Sequence, residues 1–253
     1  MGRQGSPVFS SAKRWFAPPI RPRCCDPGPP FMPIEIKICG LTDPAEARAC
    51  AEAGADAIGL VFHPPSPRNL ELARARAISD SLPPRVARVG VFADADADTI
   101  LRIAAVAGLT AIQLHGAESL AALPRLLGAP YRIIAVLRST AGLIQAARAL
   151  PETVGILVEC GRGVLPGGNG ATWEWAAAAP LASVRPFALA GGLSPDTVVE
   201  AVRDARAAAV DISSGVESSP GRKDVVRVRL LIRRLTEAFI DLPGPAHAVF
   251  RSL

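Results

Sequence analysis

From Pro33 onward, short apolar runs alternate with stretches in which apolar residues recur every three or four positions. The runs read EIKICG (35–40), AIGLVF (57–62), ARVGVF (87–92), AIQLHG (111–116), YRIIAVL (131–137), VGILVEC (154–160), PFALAGG (186–192) and AVDISSG (209–215). Most are rich in Val, Ile and Leu with hardly a charge, the pattern of parallel strands covered by helices. The first run differs. Ile34, Ile36 and Ile38 alternate with Glu35, Lys37 and Cys39, giving one apolar and one ionisable face. Such a strand can be half exposed to water, or it can line a site that does chemistry.

Between the runs lie helical patterns, including PAEARACAEAG (44–54), ELARARAISDSL (71–82), ADTILRIAAVAG (97–108), PDTVVEAVRDA (195–205) and DVVRVRLLIRRLTEAF (224–239). Pro44 and Pro195 occupy first-turn positions behind Asp43 and Ser194 as caps, and Gly54 and Gly108 stand where helices stop. A short sixth helix is expected around Trp175 to Leu181. Eight strands alternating with helices in about 207 residues predict an α/β fold, a (β/α)8 TIM barrel, at the small end of its size range. A doubly wound open sheet is the rival, but no G-x-G-x-x-G follows the first strand and no P-loop occurs. The barrel is expected as a single domain over 33–242, between an extension at 1–32 and a tail at 243–253.

Charge changes the picture only at the front of the chain. The net charge is +5, yet residues 1–31 hold Arg3, Lys13, Arg14, Arg21 and Arg23 against Asp26 alone. Of the chain's 28 basic and 23 acidic side chains, 23 and 22 remain for residues 32–253, so the body is close to neutral. That argues against a nucleic-acid partner. Seven prolines in the leading segment predict a disordered, basic, Pro-rich extension, with Met32 standing just before the first strand as a second candidate start. It lacks the continuous apolar core of a secretory signal. No apolar run approaches the roughly 18 residues of a membrane span, so no membrane partner is expected. Cys24, Cys25, Cys39, Cys50 and Cys160 are odd in number and lack metal-ligand spacing, so the simplest setting is a reducing cytoplasm.

In either architecture the ligand binds at the carboxyl ends of the strands. Gly191 and Gly192 separate a strand from a helix, and Ser213, Ser214 and Gly215 follow the next strand, which suits a phosphate held by backbone N–H groups and hydroxyls. The same residues also suit a tight turn and a helix cap. Cys39 ends the first strand on the face of Lys37. As a small core residue it needs no further account; as a base it starts with about 3 per cent thiolate at pH 7 and gains from a nearby cation. Lys37 can supply that cation, or it can be held by Asp211, because strands one and eight are neighbours in a closed barrel. Glu159 ends an apolar strand, where a greasy wall favours a protonated carboxyl able to act as an acid. Arg68, in the proline-stiffened HPPSPRNL loop, has the fork that grips a carboxylate. His115 can polarise a substrate or bond within the loops. Gly167 to Trp175, GGNGATWEW, suits a flap or wall over an aromatic ligand, and CGRGVLP (160–166) has the composition of a mobile loop.

One base, one acid, one anion clamp and one phosphate cradle suit proton-transfer isomerisation of a phosphorylated sugar derivative. The motifs IKICGLT, GADAIGLVFHPPSPR, RVGVFAD, IQLHG, GGNGATWEW, LAGGLSPDTV and VDISSGVESSPGRKD resemble, in order, those of phosphoribosylanthranilate isomerase of tryptophan biosynthesis, over residues 33–239. The resemblance implies a (β/α)8 barrel. It also implies a cofactor-free Amadori rearrangement of N-(5-phosphoribosyl)anthranilate to 1-(2-carboxyphenylamino)-1-deoxyribulose 5-phosphate. It makes Cys39 the general base and Arg68 the ligand of the anthranilate carboxylate. Gly191, Gly192, Ser213, Ser214 and Gly215 come to the phosphate, with no metal, and the expected assembly is a monomer or homodimer. The family's general acid is an aspartate; here Glu159 stands in its place, with one methylene, roughly 1.5 Å, more reach. Two other classes remain: a phosphosugar barrel that is non-catalytic or runs different chemistry, and a chain whose basic extension is its functional part.

Overall fold

The computed structural model describes residues 1–2, 34–160, 173–241 and 249–250. The chain divides into two units, Met1–Pro30 and Phe31–Leu253. Of the extension expected at 1–32, only Met1 and Gly2 lie among the described residues.

The second unit runs β1 (Glu35–Cys39), α1 (Pro44–Ala53), β2 (Ala57–Phe62), α2 (Leu72–Ser81), β3 (Ala87–Ala93), α3 (Ala97–Ala107), β4 (Ala111–His115), α4 (Gly116–Ala121), α5 (Leu123–Leu126), β5 (Arg132–Arg138), α6 (Leu143–Ala149) and β6 (Gly155–Glu159). A 3-10 segment (Trp175–Ser183), β7 (Ala188–Ala190), α7 (Val198–Ala205) and β8 (Ala209–Ile212) follow. After a 3-10 turn at Ser214–Val216 come a small hairpin, β9 (Glu217–Ser219) and β10 (Arg222–Lys223), and α8 (Val225–Phe239). Strands β1 to β8 pair in order and β8 closes on β1, all parallel, which excludes the open-sheet rival.

Closure follows from how the two faces of each strand are occupied. Outward residues such as Ile36, Ile38, Ile58 and Leu60 pack with Ala47, Ile78, Leu231 and Leu235 from the helices in one large cluster. A second cluster fills the barrel itself: Ala57, Ala87, Val89, Ala111, Ile134, Val136, Leu157, Ala188 and Ala209, together with Val249 and Phe250. The five alanines leave room at the amino-terminal end of the barrel, and the Phe250 side chain, fully buried, takes it. Two residues of the span expected as a tail are therefore core.

All five residues of β1 are buried, so this strand is not half exposed. Its ionisable face lines the barrel interior, where Lys37 is sealed at 0% exposure. Helix starts match their caps: Asp43 accepts from the N–H groups of Ala45 and Glu46, and Asp224 from those of Val226 and Arg227. Gly54 and Gly108 close α1 and α3 with positive φ. The exception is α7. Ser194 is not its cap and Pro195 is not in its first turn, because residues 194–197 form a separate turn in which the Ser194 hydroxyl accepts from the Asp196 N–H and Thr197 N–H bonds the Ser194 carbonyl. The helix begins at Val198.

Candidate active site

Side chains at the carboxyl ends of the strands converge on the barrel mouth. Cys39 ends β1, and two glycines make its place. Opposite it in β2 stands Gly59, where a Cβ would lie 2.6 Å from the Cys39 Sγ. Next to it Gly40 has φ +76°, and a Cβ there would lie 2.3 Å from Arg68 Cδ. Glycine therefore follows the cysteine for two reasons: the chain turns in the left-handed region, and the Arg68 side chain crosses the bare backbone.

Beneath the thiol, Lys37 Nζ lies 2.8 Å from Asp211 Oδ1, across the β1–β8 pairing. Burial pulls the Lys37 ammonium down, but the Asp211 carboxylate and the Cys39 thiol outweigh it and hold Lys37 above its ordinary value. The same burial pushes the Cys39 thiol up, and the Lys37 charge opposes this in part. Cys39 is a thiol whose ionisation depends on a buried cation beside it.

Arg68 meets a carboxylate of the protein itself. Its Nε and Nη2 donate to Glu217 Oε1 and Oε2 at 2.8 and 2.6 Å. A side-on fork of this kind uses one edge of the guanidinium and leaves the end-on edge for a second carboxylate. Glu217 also accepts from Lys223 Nζ at 2.6 Å, and Lys223 reaches the Ser213 carbonyl at 3.2 Å. Burial raises the Glu217 carboxyl, yet its bonds to Arg68 and Lys223 hold it below the usual carboxylate range. The Ser213 hydroxyl donates to the Cys39 carbonyl at 3.1 Å. Ser213 thus ties β8 to the end of β1 with the hydroxyl that the sequence offered to phosphate.

Across the mouth, His115 Nε2 lies 3.0 Å from Glu159 Oε1, and Arg138 Nε lies 3.8 Å from the same oxygen. Glu159 is set in polar company rather than against a greasy wall. His115 ends β4 and Glu159 ends β6, so their contact links two strand ends at the site.

The glycine loops stand side by side. Gly191 and Gly192 have φ of +91° and +71°, a left-handed turn that glycine adopts without strain. A Cβ at Gly215 would fall 1.9 Å from the Leu193 carbonyl oxygen, so the loops after β7 and β8 touch only because Gly215 has no side chain. Trp173 and Trp175 donate their indole N–H groups to the carbonyls of Ala190 and Gly191, at 3.1 and 3.2 Å. They brace the glycine turn. Residues 161–172, including GGNGAT and all of the expected mobile loop but Cys160, lie outside the described residues.

Sequence reasoning missed Gly59, Glu217 and Lys223. A glycine inside a strand signals close approach of another group, and that signal was present at Gly59. Glu217 and Lys223 face each other across the β9–β10 hairpin, which the S-S-P-G turn of residues 218–221 encodes. Among the described residues no group of three or more His, Cys, Asp or Glu could hold a metal ion, and no helix is long and apolar enough to cross a membrane.

A family model described as N-(5'-phosphoribosyl)anthranilate isomerase matches residues 36–234. The chain is 43% identical over 210 residues to the N-(5'-phosphoribosyl)anthranilate isomerase of Desulfatibacillum aliphaticivorans, covering 83% of this chain and 96% of that one. Its fold superposes on the phosphoribosyl anthranilate isomerase of Thermotoga maritima with a TM-score of 0.74 at 36% identity, covering 81% of this chain and 99% of that chain. It also matches a phosphoribosyl anthranilate isomerase in complex with reduced 1-(o-carboxyphenylamino)-1-deoxyribulose 5-phosphate, with a TM-score of 0.70 at 34% identity and coverage of 81% and 99%.

Proposed function

The chain belongs to the N-(5'-phosphoribosyl)anthranilate isomerase family and isomerises N-(5-phosphoribosyl)anthranilate to 1-(2-carboxyphenylamino)-1-deoxyribulose 5-phosphate in tryptophan biosynthesis; from this premise we propose that Cys39 and Glu159 carry its two proton transfers. The furanose ring opens when Glu159 protonates the ring oxygen as the C1–O bond breaks, leaving an iminium between C1 and the anthranilate nitrogen. The Cys39 thiolate then takes the proton from C2, and the electron pair moves to form the C1–C2 enolamine. Tautomerisation to the ketone, with C1 gaining a proton, completes the aminoketose. The observation that carries this assignment is the placement of the Cys39 thiol in the Gly59 niche above the Lys37–Asp211 pair. A thiol that must ionise needs such a cation next to it.

Arg68 holds the anthranilate carboxylate with its end-on edge while Glu217 grips its side-on edge and fixes the plane of the guanidinium. The peptide N–H groups of the Gly191–Gly192 turn and of Ser214–Gly215 receive the phosphate, and Ser213 supports them through the Cys39 carbonyl. Glu159 carries one methylene more than the family's aspartate, and the His115 hydrogen bond fixes where that longer arm ends.

Phosphoribosylanthranilate fluorescence, followed as substrate disappears, tests the assignment. Cys39→Ala is expected to lower turnover more than about a thousandfold with the fold intact. Glu159→Gln is expected to lower kcat by about a hundredfold or more, and near-parental turnover would remove Glu159 from the mechanism.

A further inference from the structure

Phe250 lies outside the segment 36–234 that the family model matches, yet it is built into the barrel beneath the reacting thiol. Its N–H and that of Val249 both donate to Glu35 Oε2, and the Val249 carbonyl accepts from Arg132 Nε at 3.2 Å. Gly155 makes way for this backbone, since a Cβ there would come within 2.8 Å of the Val249 oxygen. Glu35 and Lys37 are consecutive inward positions of β1. A segment bonded to the Glu35 carboxylate is therefore held one layer below Lys37. The ring centroid of Phe250 lies 5.9 Å from Lys37 Nζ, within the range at which a ring face attracts a cation. Glu35 is a buried anion with backbone donors, the five alanines leave a ring-sized space, and the buried cation above faces that ring.

We propose that Phe250 is a positioning residue for the isomerase reaction: its ring seats the Lys37 ammonium between Asp211 and Cys39 and thereby sets how readily the thiol gives up its proton. The inference rests on the assignment of Cys39 as the base. Lys37 has a four-carbon stem, and Asp211 holds its head from the β8 side while Phe250 fills the alanine-lined layer below. A ring fills it and also presents electron density to the ammonium; an aliphatic side chain only fills it. Lys37 from β1, Asp211 from β8, Lys223 from β10 and Arg68 from the loop after β2 bear on the Cys39 thiol. Glu35 and Arg132 hold the segment that carries the ring. All of these side chains are retained when Phe250 is replaced, so a change in thiol ionisation reports the loss of the ring beneath Lys37.

The test is the pH profile of kcat/KM for the full chain, its Phe250→Leu and Phe250→Met variants, which keep most of the volume without a ring, and Cys39→Ala. The acidic limb of either ring-less variant is expected to move to higher pH, lowering kcat/KM about tenfold at pH 7, with activity regained at alkaline pH and KM unchanged. An acidic limb that stays in place in the folded variants overturns the proposal, however far their melting temperatures fall, and leaves Phe250 a structural plug. Near-parental turnover by Cys39→Ala would instead overturn the base assignment itself. A dead Cys39→Ala beside an unmoved limb removes the role of Phe250 alone.

Discussion

The two ends of the barrel handle buried charge differently. At the amino-terminal end the Glu35 carboxylate is met by the peptide N–H groups of Val249 and Phe250, donors fixed in the backbone, with the Arg132 guanidinium near enough to feel its charge. At the mouth, Asp211, Glu217 and Glu159 are met by Lys37, by Arg68 with Lys223, and by His115 with Arg138. Backbone donors hold an anion in place, but they offer no second edge and take no proton. Side-chain partners can be shared with a ligand, as the Arg68 fork can, and can move a proton, as Glu159 and Cys39 are assigned to do. The barrel thus adds fixed backbone donors at the end that packs and gathers shareable side-chain partners at the end assigned to chemistry.

The sharpest way to break the contrast is to strip one charge from the mouth. Asp211→Ala leaves the Lys37 ammonium buried without its carboxylate, and is expected to cost about 3–5 kcal/mol of stability in urea denaturation. Turnover falls as well, because Lys37 no longer has a fixed place beside Cys39. Asp211→Asn, which keeps the shape, tells the two effects apart: it is expected to recover packing but not the ammonium's partner charge.

At the other end the expected loss is in stability alone. Glu35→Ala leaves two buried peptide N–H groups without their acceptor, at about 1–3 kcal/mol for each unsatisfied donor. Substrate binds at the mouth, so KM is expected to stay at the parental value while the urea midpoint falls. A raised KM would show that the two ends are coupled in binding.

How far this division was legible in the sequence depends on the range of each contact. β2 was read to the residue, since a run such as AIGLVF bounded by turn residues states its own limits. β7 was read as residues 186–192 but pairs only over Ala188–Ala190, clipped by Pro186 before it and by Gly191 and Gly192, which turn the chain away. The Lys37–Asp211 pairing was legible because barrel closure makes strands one and eight neighbours. The Arg68–Glu217 fork spans 149 positions and depends on where a hairpin lands, so nothing local announces it. Phe250 was opaque for another reason. Alanines at 57, 87, 111, 188 and 209 read simply as apolar, and they mean empty space only once all five share one interior.

The last contrast lies within the mouth and is read by acid. Burial raises the Glu217 carboxyl, but Arg68 and Lys223 outweigh it and hold the group below the ordinary 4.5. The folded protein therefore binds this proton less readily than the unfolded chain. Its contribution to stability is complete above 4.5 and is lost as the pH falls through the lower folded value. Glu217→Gln removes the titration along with one half of the fork. At neutral pH the variant is expected to be the less stable of the two, with a KM raised about tenfold as Arg68 loses its fixed plane. As the pH falls below 4.5 the parent is expected to lose stability more steeply than the variant, so the two denaturation curves converge. Parallel curves through that range would mean that Glu217 is ionised alike in both states, and that the fork is held by shape rather than by charge.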